Sequence, residues 1–170
     1  YSTIITMEIN INCDLGEKSK HHTNTYDPDL LKIVNSANIA CGYHAGDEET
    51  MNKVVEISKK NGVSIGAHPS FNDPENFGRK RMELSSIEIK KLIFDQYEIL
   101  QKIAHNHGET VTHIKPHGAL NNMACEDINL ATTLAIACPQ SNNLYCTTFM
   151  IRCDRKNERD KGSDDCPVRH

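Results

Sequence analysis

The sequence predicts an α/β domain built on parallel strands, and two observations carry that expectation. Strand-like and helix-like stretches alternate from residue 8 to residue 114, an order that demands parallel strands joined by right-handed crossovers. In addition, four strand-like runs each end in polar, reactive side chains. They are Asn12-Cys13-Asp14-Leu15-Gly16-Glu17, Ser36-Ala37-Asn38-Ile39-Ala40-Cys41-Gly42-Tyr43-His44-Ala45-Gly46-Asp47, Gly66-Ala67-His68-Pro69 and Lys115-Pro116-His117-Gly118-Ala119-Leu120. Groups delivered at the C-terminal ends of successive parallel strands converge on one pocket. The repetition points to an enzyme more strongly than any one string does.

Each element has its own signal. Glu8 to Cys13 alternates polar and apolar residues, the period of a strand. Asp27-Pro28 opens a short helix through Leu30, Leu31, Ile33 and Val34, with Asp27 as N-cap and Pro28 in the first position. Ser36 to Cys41 reads as a small, buried second strand. Asp47 caps the next helix, whose inner face is Met51, Val54, Val55 and Ser58, and Asn61-Gly62 stops it. Val63 to Ala67 is a third strand, followed by a turn-rich loop from Pro69 to Arg81.

Ser85-Ser86-Ile87-Glu88 fits a capping box and opens a long helix with Ile89, Leu92, Ile93, Gln96, Leu100, Ile103 and Ala104 on one face. Gly108 ends it, and Thr110 to Ile114 is a fourth strand. Beyond Asn122 the pattern weakens: Asp127 to Cys138 reads as a helix and Leu144 to Ile151 as a strand. Charged residues dominate 152–170, where Val168 is the one branched aliphatic residue. Such a segment buries too little surface to order itself. The expected organisation is therefore a single α/β domain over 1–151 and a polar, disordered tail over 152–170.

Bulk properties exclude several classes. A net charge of −4 disfavours a nucleic-acid partner. No stretch approaches the ~18 apolar residues of a membrane span, and residues 1–20 lack the pattern of a secretory signal. A soluble, cytoplasmic protein is expected. Seven cysteines without a C-x-x-C pair read as free thiols.

The chemistry lies in the strand-end strings. One histidine beside Gly or Pro reads as a loop hydrogen-bonder. His44, His68 and His117 in one topological position, joined by Asp14, match what a divalent metal or a general base requires, with Asp14, His44 and His68 as metal ligands. Lys115, beside His117 at a strand end, suits a substrate carboxylate or an oxyanion, although a surface lysine is the simpler alternative. Asn12 and Asn38 offer donors and acceptors to the same pocket. Arg79, in the longest loop, is placed to clamp a carboxylate or phosphate, while Lys80 and Arg81 beside it fit a solvated basic patch equally well. His21, His22, His105 and His107 have no strand end behind them and read as surface residues.

On the first, second and fourth of these strings the chain resembles the LamB/YcsF family between Met7 and about Asn122. The resemblance implies a distorted, incomplete TIM-like (β/α) barrel of the glycoside hydrolase/deacetylase type. It also implies the role of the A component in a prokaryotic-type 5-oxoprolinase, which opens 5-oxo-L-proline to L-glutamate with ATP and separate B and C subunits. In that reaction Asp14 or His117 would act as base and Lys115 would hold the developing charge, with Asn12, Asn38, His44, His68 and Arg79 around the substrate. The chain departs from the family pattern at Lys18-Ser19-Lys20-His21, at Ser70 and at Asn121, and further C-terminal family strands are not recognised beyond Asn122. Two alternatives therefore stand beside the first: a metal-dependent, deacetylase-like hydrolase, and a truncated, non-catalytic remnant.

Overall fold

The structure, a computed structural model, describes residues 9–20 and 22–138 together with the backbone of 145–146. Five strands, β1 (Asn12–Leu15), β2 (Ser36–Ala40), β3 (Ser64–His68), β4 (Val111–Ile114) and β5 (Tyr145–Cys146), lie side by side in chain order and pair in parallel throughout. A doubly wound sheet reverses its strand order at a switch point; a barrel wall does not. The fold is accordingly α/β, an incomplete TIM-like barrel, as expected.

The register explains how polar groups gather inside this wall. Asp14 is opposite Asn38, Asn38 opposite Gly66 and Gly66 opposite His113, so one cross-strand row carries three polar side chains and a gap. A Cβ on Gly66 would collide with the His113 ring. The glycine is there because that imidazole lies across the strand. Neighbouring rows point the other way: Leu15, Ile39, Ala67 and Ile114 are buried in the apolar core.

Helices cover that core. In α2 (Glu48–Asn61) the Asp47 carboxylate accepts from Thr50 N at 2.7 Å, and Gly62 ends the helix at φ 67°. The long α3 (Ser86–Asn106) carries the expected capping box between Ser85 and Glu88. Its buried face holds every expected residue and also Tyr97. Fully burying each of its leucines and isoleucines is worth roughly 1.5–3 kcal/mol, so packing rather than propensity holds this helix.

Three expectations change. Helix α1 spans only Asp27–Leu30, and Asp27 does not cap it: the residue is inside the helix, and its carboxylate instead accepts Gly16 N at 2.8 Å. A nine-residue helix, α4 (Gly118–Glu126), follows His117 directly where the sequence pattern weakens, and α5 (Ile128–Ala137) then fills the expected helix. The strand expected over Leu144–Ile151 is described only at 145–146, and the tail expected over 152–170 lies outside the described residues.

A candidate active site at the strand ends

The side chains delivered by β1 to β4 meet at the C-terminal ends. Backbone bonds Lys115 N to Ala67 O (2.9 Å) and His117 N to Pro69 O (2.8 Å) extend the β3–β4 ladder past β4. Pro116, which has no N–H to donate, sits between them. This places Lys115 and His117 on one side. His68 ends β3, and His44 lies in the turn after β2.

One network centres on Asp14. Lys115 Nζ donates to both carboxylate oxygens, at 2.7 and 2.8 Å. Asn38 Nδ2 donates to Asp14 Oδ1 and to Asn12 Oδ1, each at 2.8 Å. Its Oδ1 therefore accepts from His113 Nε2, 3.0 Å away. Burial pushes His113 down to about 4, so this ring is neutral at neutral pH. For Asp14, burial raises the carboxyl, but His68, Lys115 and Asn38 together outweigh it and hold the group below its ordinary range. Asp14 is ionised, half-buried and fully partnered.

The second network centres on Glu17. Its Oε1 is 3.1 Å from His44 Nε2, 3.2 Å from His117 Nδ1 and 3.7 Å from His68 Nε2. His68 Nε2 and His117 Nδ1 are 2.9 Å apart, and Asp14 Oδ2 is 3.4 Å from His68 Nε2. Burial drives His68 down to about 3 against the pull of Asp14. Burial and the neighbouring His44 lower His117 as well. For Glu17, burial raises the carboxyl, but the His44 hydrogen bond and the other two imidazoles more than offset it. Ligand atoms of Glu17, His44, His68 and His117 all lie within 4.8 Å of one another, a group able to hold a divalent metal. Asp14, expected among the metal ligands, stands beside this group and is engaged by Lys115.

The loop after β3 roofs the site. Buried Gln96 of α3 grips Ser70 from both sides, accepting from its N–H at 3.0 Å and donating to its carbonyl at 2.8 Å. So held, the loop presents the Ser70 hydroxyl to His44 Nδ1 at 2.9 Å and the Phe77 carbonyl to His117 Nε2 at 3.0 Å. Gly78, at φ 66°, passes so close that a Cβ would sit 2.9 Å from His44 Cβ. Arg79 is exposed, with its guanidinium over the Phe77 ring. It lines a cavity of about 310 Å³ with Glu17, Ser19, His22, Pro74 and Phe77.

Asp14, Asn12, Asn38, His44, His68, Lys115 and His117 are thus brought together, with Arg79 at the rim. Two participants were not singled out from the sequence. Glu17 stands just past a strand end, as His44 does. His113 lies within a strand, where a polar residue carries no signal until the register is known. His22, read as a surface residue, is exposed but borders the cavity.

Comparison with known proteins gives the family and the fold. Residues 9–158 match the LamB/YcsF family. A protein named as the A component of 5-oxoprolinase from Nitrobacter hamburgensis is 47% identical over 132 residues, covering 77% of this chain and 52% of its own length. One of the same name from Staphylococcus carnosus is 42% identical over 131 residues, covering 77% and 52%. The crystal structure of a lactam utilization protein from Thermus thermophilus superposes with a TM-score of 0.73 at 37% identity, covering 77% of this chain and 53% of that one. The chain spans about half the length of the curated relatives it matches.

Proposed function

Because this chain belongs to the LamB/YcsF family, we propose that its strand-end site serves as the A component of 5-oxoprolinase, in the ATP-dependent hydrolysis of 5-oxo-L-proline to L-glutamate. The names of the relatives support lactam chemistry, and their designation as one lettered component supports separate B and C partners. The observation that carries the reading is the Asp14–Lys115 pair set beside two neutral imidazoles.

An amide is a poor electrophile, and transfer of the ATP γ-phosphoryl group to the lactam oxygen would make the ring carbonyl carbon open to water. His117, with its pKa lowered, is unprotonated at neutral pH and can accept the proton of that water. Asp14 is the alternative base. Once water has added, the ring C–N bond would break with the proton passing to the nitrogen. That leaves a γ-acyl phosphate, from which a second water would release phosphate and give L-glutamate. The Lys115 ammonium would stabilise the negative charge on the tetrahedral carbon's oxygens. Arg79 at the rim suits the substrate carboxylate, and the Phe77 ring beneath it suits the apolar edge of a five-membered ring. No helix among the described residues is long and apolar enough to cross a membrane. A cytoplasmic location belongs to the same proposal.

The test is L-glutamate release from 5-oxo-L-proline by the chain mixed with B and C subunits and ATP. Glutamate formed in step with ATP hydrolysis, and only with all components present, supports the reading. Amide hydrolysis that ignores ATP and requires a metal would favour the deacetylase-like alternative, for which the Glu17–imidazole group is the specific observation.

A further inference from the structure

The three imidazoles around Glu17 are not equivalent, and the planes of their rings separate them. His68 Nδ1 is 2.6 Å from the Lys115 carbonyl, and His117 Nε2 is 3.0 Å from the Phe77 carbonyl. A carbonyl only accepts, so these two nitrogens carry the ring hydrogens. The other two, His68 Nε2 and His117 Nδ1, are then bare lone pairs in the neutral rings. They face each other at 2.9 Å, with the Glu17 carboxylate 3.7 and 3.2 Å away. Three electron-rich atoms with no hydrogen among them call for a cation. Fixing the distal N–H of each ligand histidine on a backbone carbonyl is also how metal sites orient their imidazoles.

His44 differs in orientation. The one hydrogen of the Ser70 hydroxyl goes to the Phe71 carbonyl, so His44 Nδ1 donates to Ser70 Oγ at 2.9 Å. His44 Nε2 is then also bare, 3.1 Å from Glu17 Oε1, and only the plane of its ring sets it apart. Its ring stacks on His117 with centroids 3.9 Å apart and planes within 8°. Rings in separate parallel planes cannot both aim in-plane lone pairs at one ion. The His68 and His117 planes cross at 82°, and one ion can lie in both.

We propose that His68 Nε2, His117 Nδ1 and a Glu17 carboxylate oxygen form a three-ligand centre for a tetrahedral divalent ion of the zinc type. His44, stacked parallel to His117, lies outside the ligand set. For bonds of ~2.0–2.1 Å, adjacent ligand atoms of a tetrahedron are about 3.3 Å apart, and the observed separations of 2.9, 3.2 and 3.7 Å bracket that edge. Two histidines and one carboxylate leave a fourth position open for water or a carbonyl oxygen, as in catalytic zinc sites. Asp14, with both oxygens on Lys115, stays out of the set and is the base when the ion is bound, because both His117 nitrogens are then engaged. The inference deepens the proposed function and rests on it for the identity of the reactive centre, while ion binding itself is read without substrate, ATP or partners.

The experiment strips the 170-residue chain with a chelator and titrates it with Zn²⁺ and Co²⁺ alone. One equivalent should bind, with the visible absorption of tetrahedral Co²⁺. In imidazole-¹⁵N-labelled wild type, Zn²⁺ should shift His68 Nε2 and His117 Nδ1 to ligated values and leave His44 Nε2 unligated. Glu17→Gln, His68→Ala and His117→Ala should each weaken binding about a hundredfold or more, and His44→Ala, which removes only the ring stacked on His117, by less than about tenfold. The NMR arm uses unsubstituted protein, so a variant that fails to fold does not blunt the test. Absence of stoichiometric binding, a ligated His44, or wild-type affinity in His117→Ala overturns the assignment. Bound ion without lactam turnover would overturn the proposed function instead.

Discussion

Lys115 and His117 are two residues apart, yet they stand in networks built on opposite electrostatic principles. Around Asp14, donors and acceptors alternate. An ammonium, an amide and a neutral imidazole donate in turn, and both carboxylate oxygens are filled. Around Glu17, acceptors crowd together, with three bare imidazole nitrogens beside a carboxylate. The first network holds its shape unaided, because each buried polar group has a partner. The second is organised for something positive that arrives from outside. One strand end thus delivers a balanced charge through Lys115 and an unbalanced one through His117.

The largest effect expected concerns acid, and it touches both networks. In the metal-free protein His68 and His113 are held at about 3 and about 4, below the ordinary 6.5, chiefly by burial. Below pH 6.5 the unfolded chain takes up protons that the folded chain refuses. Stability is therefore complete above that value and is lost as pH falls toward the folded ones. By pH 5 each ring should cost on the order of 2 kcal/mol. Urea midpoints at pH 7 and pH 5 measure the loss, and His113→Asn should remove about half of it. An undiminished loss in that variant would place the acid sensitivity in the Glu17 network alone.

Next comes turnover in the partner-supplied assay. Lys115→Ala and His117→Ala should each lose about a hundredfold or more, but with different signatures. Removing Lys115 releases one of the interactions that hold Asp14 low, so the acid limb of the pH–rate profile should move upward. Removing His117 leaves Asp14 and Lys115 paired and should lower the whole profile. Identical profiles in the two variants would erase the distinction between the networks.

A smaller effect tests the row inside the wall. Gly66→Ala drives a methyl into the His113 ring, and overpacking of this kind costs roughly 1–3 kcal/mol. In a His113→Ala background the same change should cost little. Additive losses would mean that the ring does not lie across Gly66.

Much of this was legible in the chain because its signals are local. The Asp47 cap, the Ser85–Glu88 box and the buried stripe of α3 depend on spacing alone, and each is present. The strand-end positions of Asp14, His44, His68 and His117 followed from the βα alternation. Hidden features depend on contacts distant in sequence. Helix α4 starts at His117 without a capping side chain, so nothing announced it. Gln96 read as one more core position on a periodic face, whereas it pins the loop that orients His44 and His117. The Asp14–Asn38–Gly66–His113 row exists only once register is set. Glu17 became a centre only when three loops closed on it.

Asp27 provides the smallest and most discriminating test, because its sequence signal and its structural role diverge. An Asp before Pro at a helix start reads as a cap, and capping would tolerate serine within a few tenths of a kcal/mol. In the structure the buried Asp27 carboxylate instead holds the Gly16 amide at 2.8 Å, on the turn that carries Glu17 toward the imidazoles. Serine is one carbonyl shorter and leaves that amide unpartnered. Asp27→Ser should therefore cost about 1 kcal/mol or somewhat more in urea unfolding, whereas Asp27→Asn, which keeps an acceptor oxygen at the same reach, should lose less. The ¹⁵N signal of His44 Nε2 should also shift in the serine variant as Glu17 is displaced. A serine variant with unchanged stability and an unchanged His44 signal would return Asp27 to the role of a cap and detach Glu17 from it.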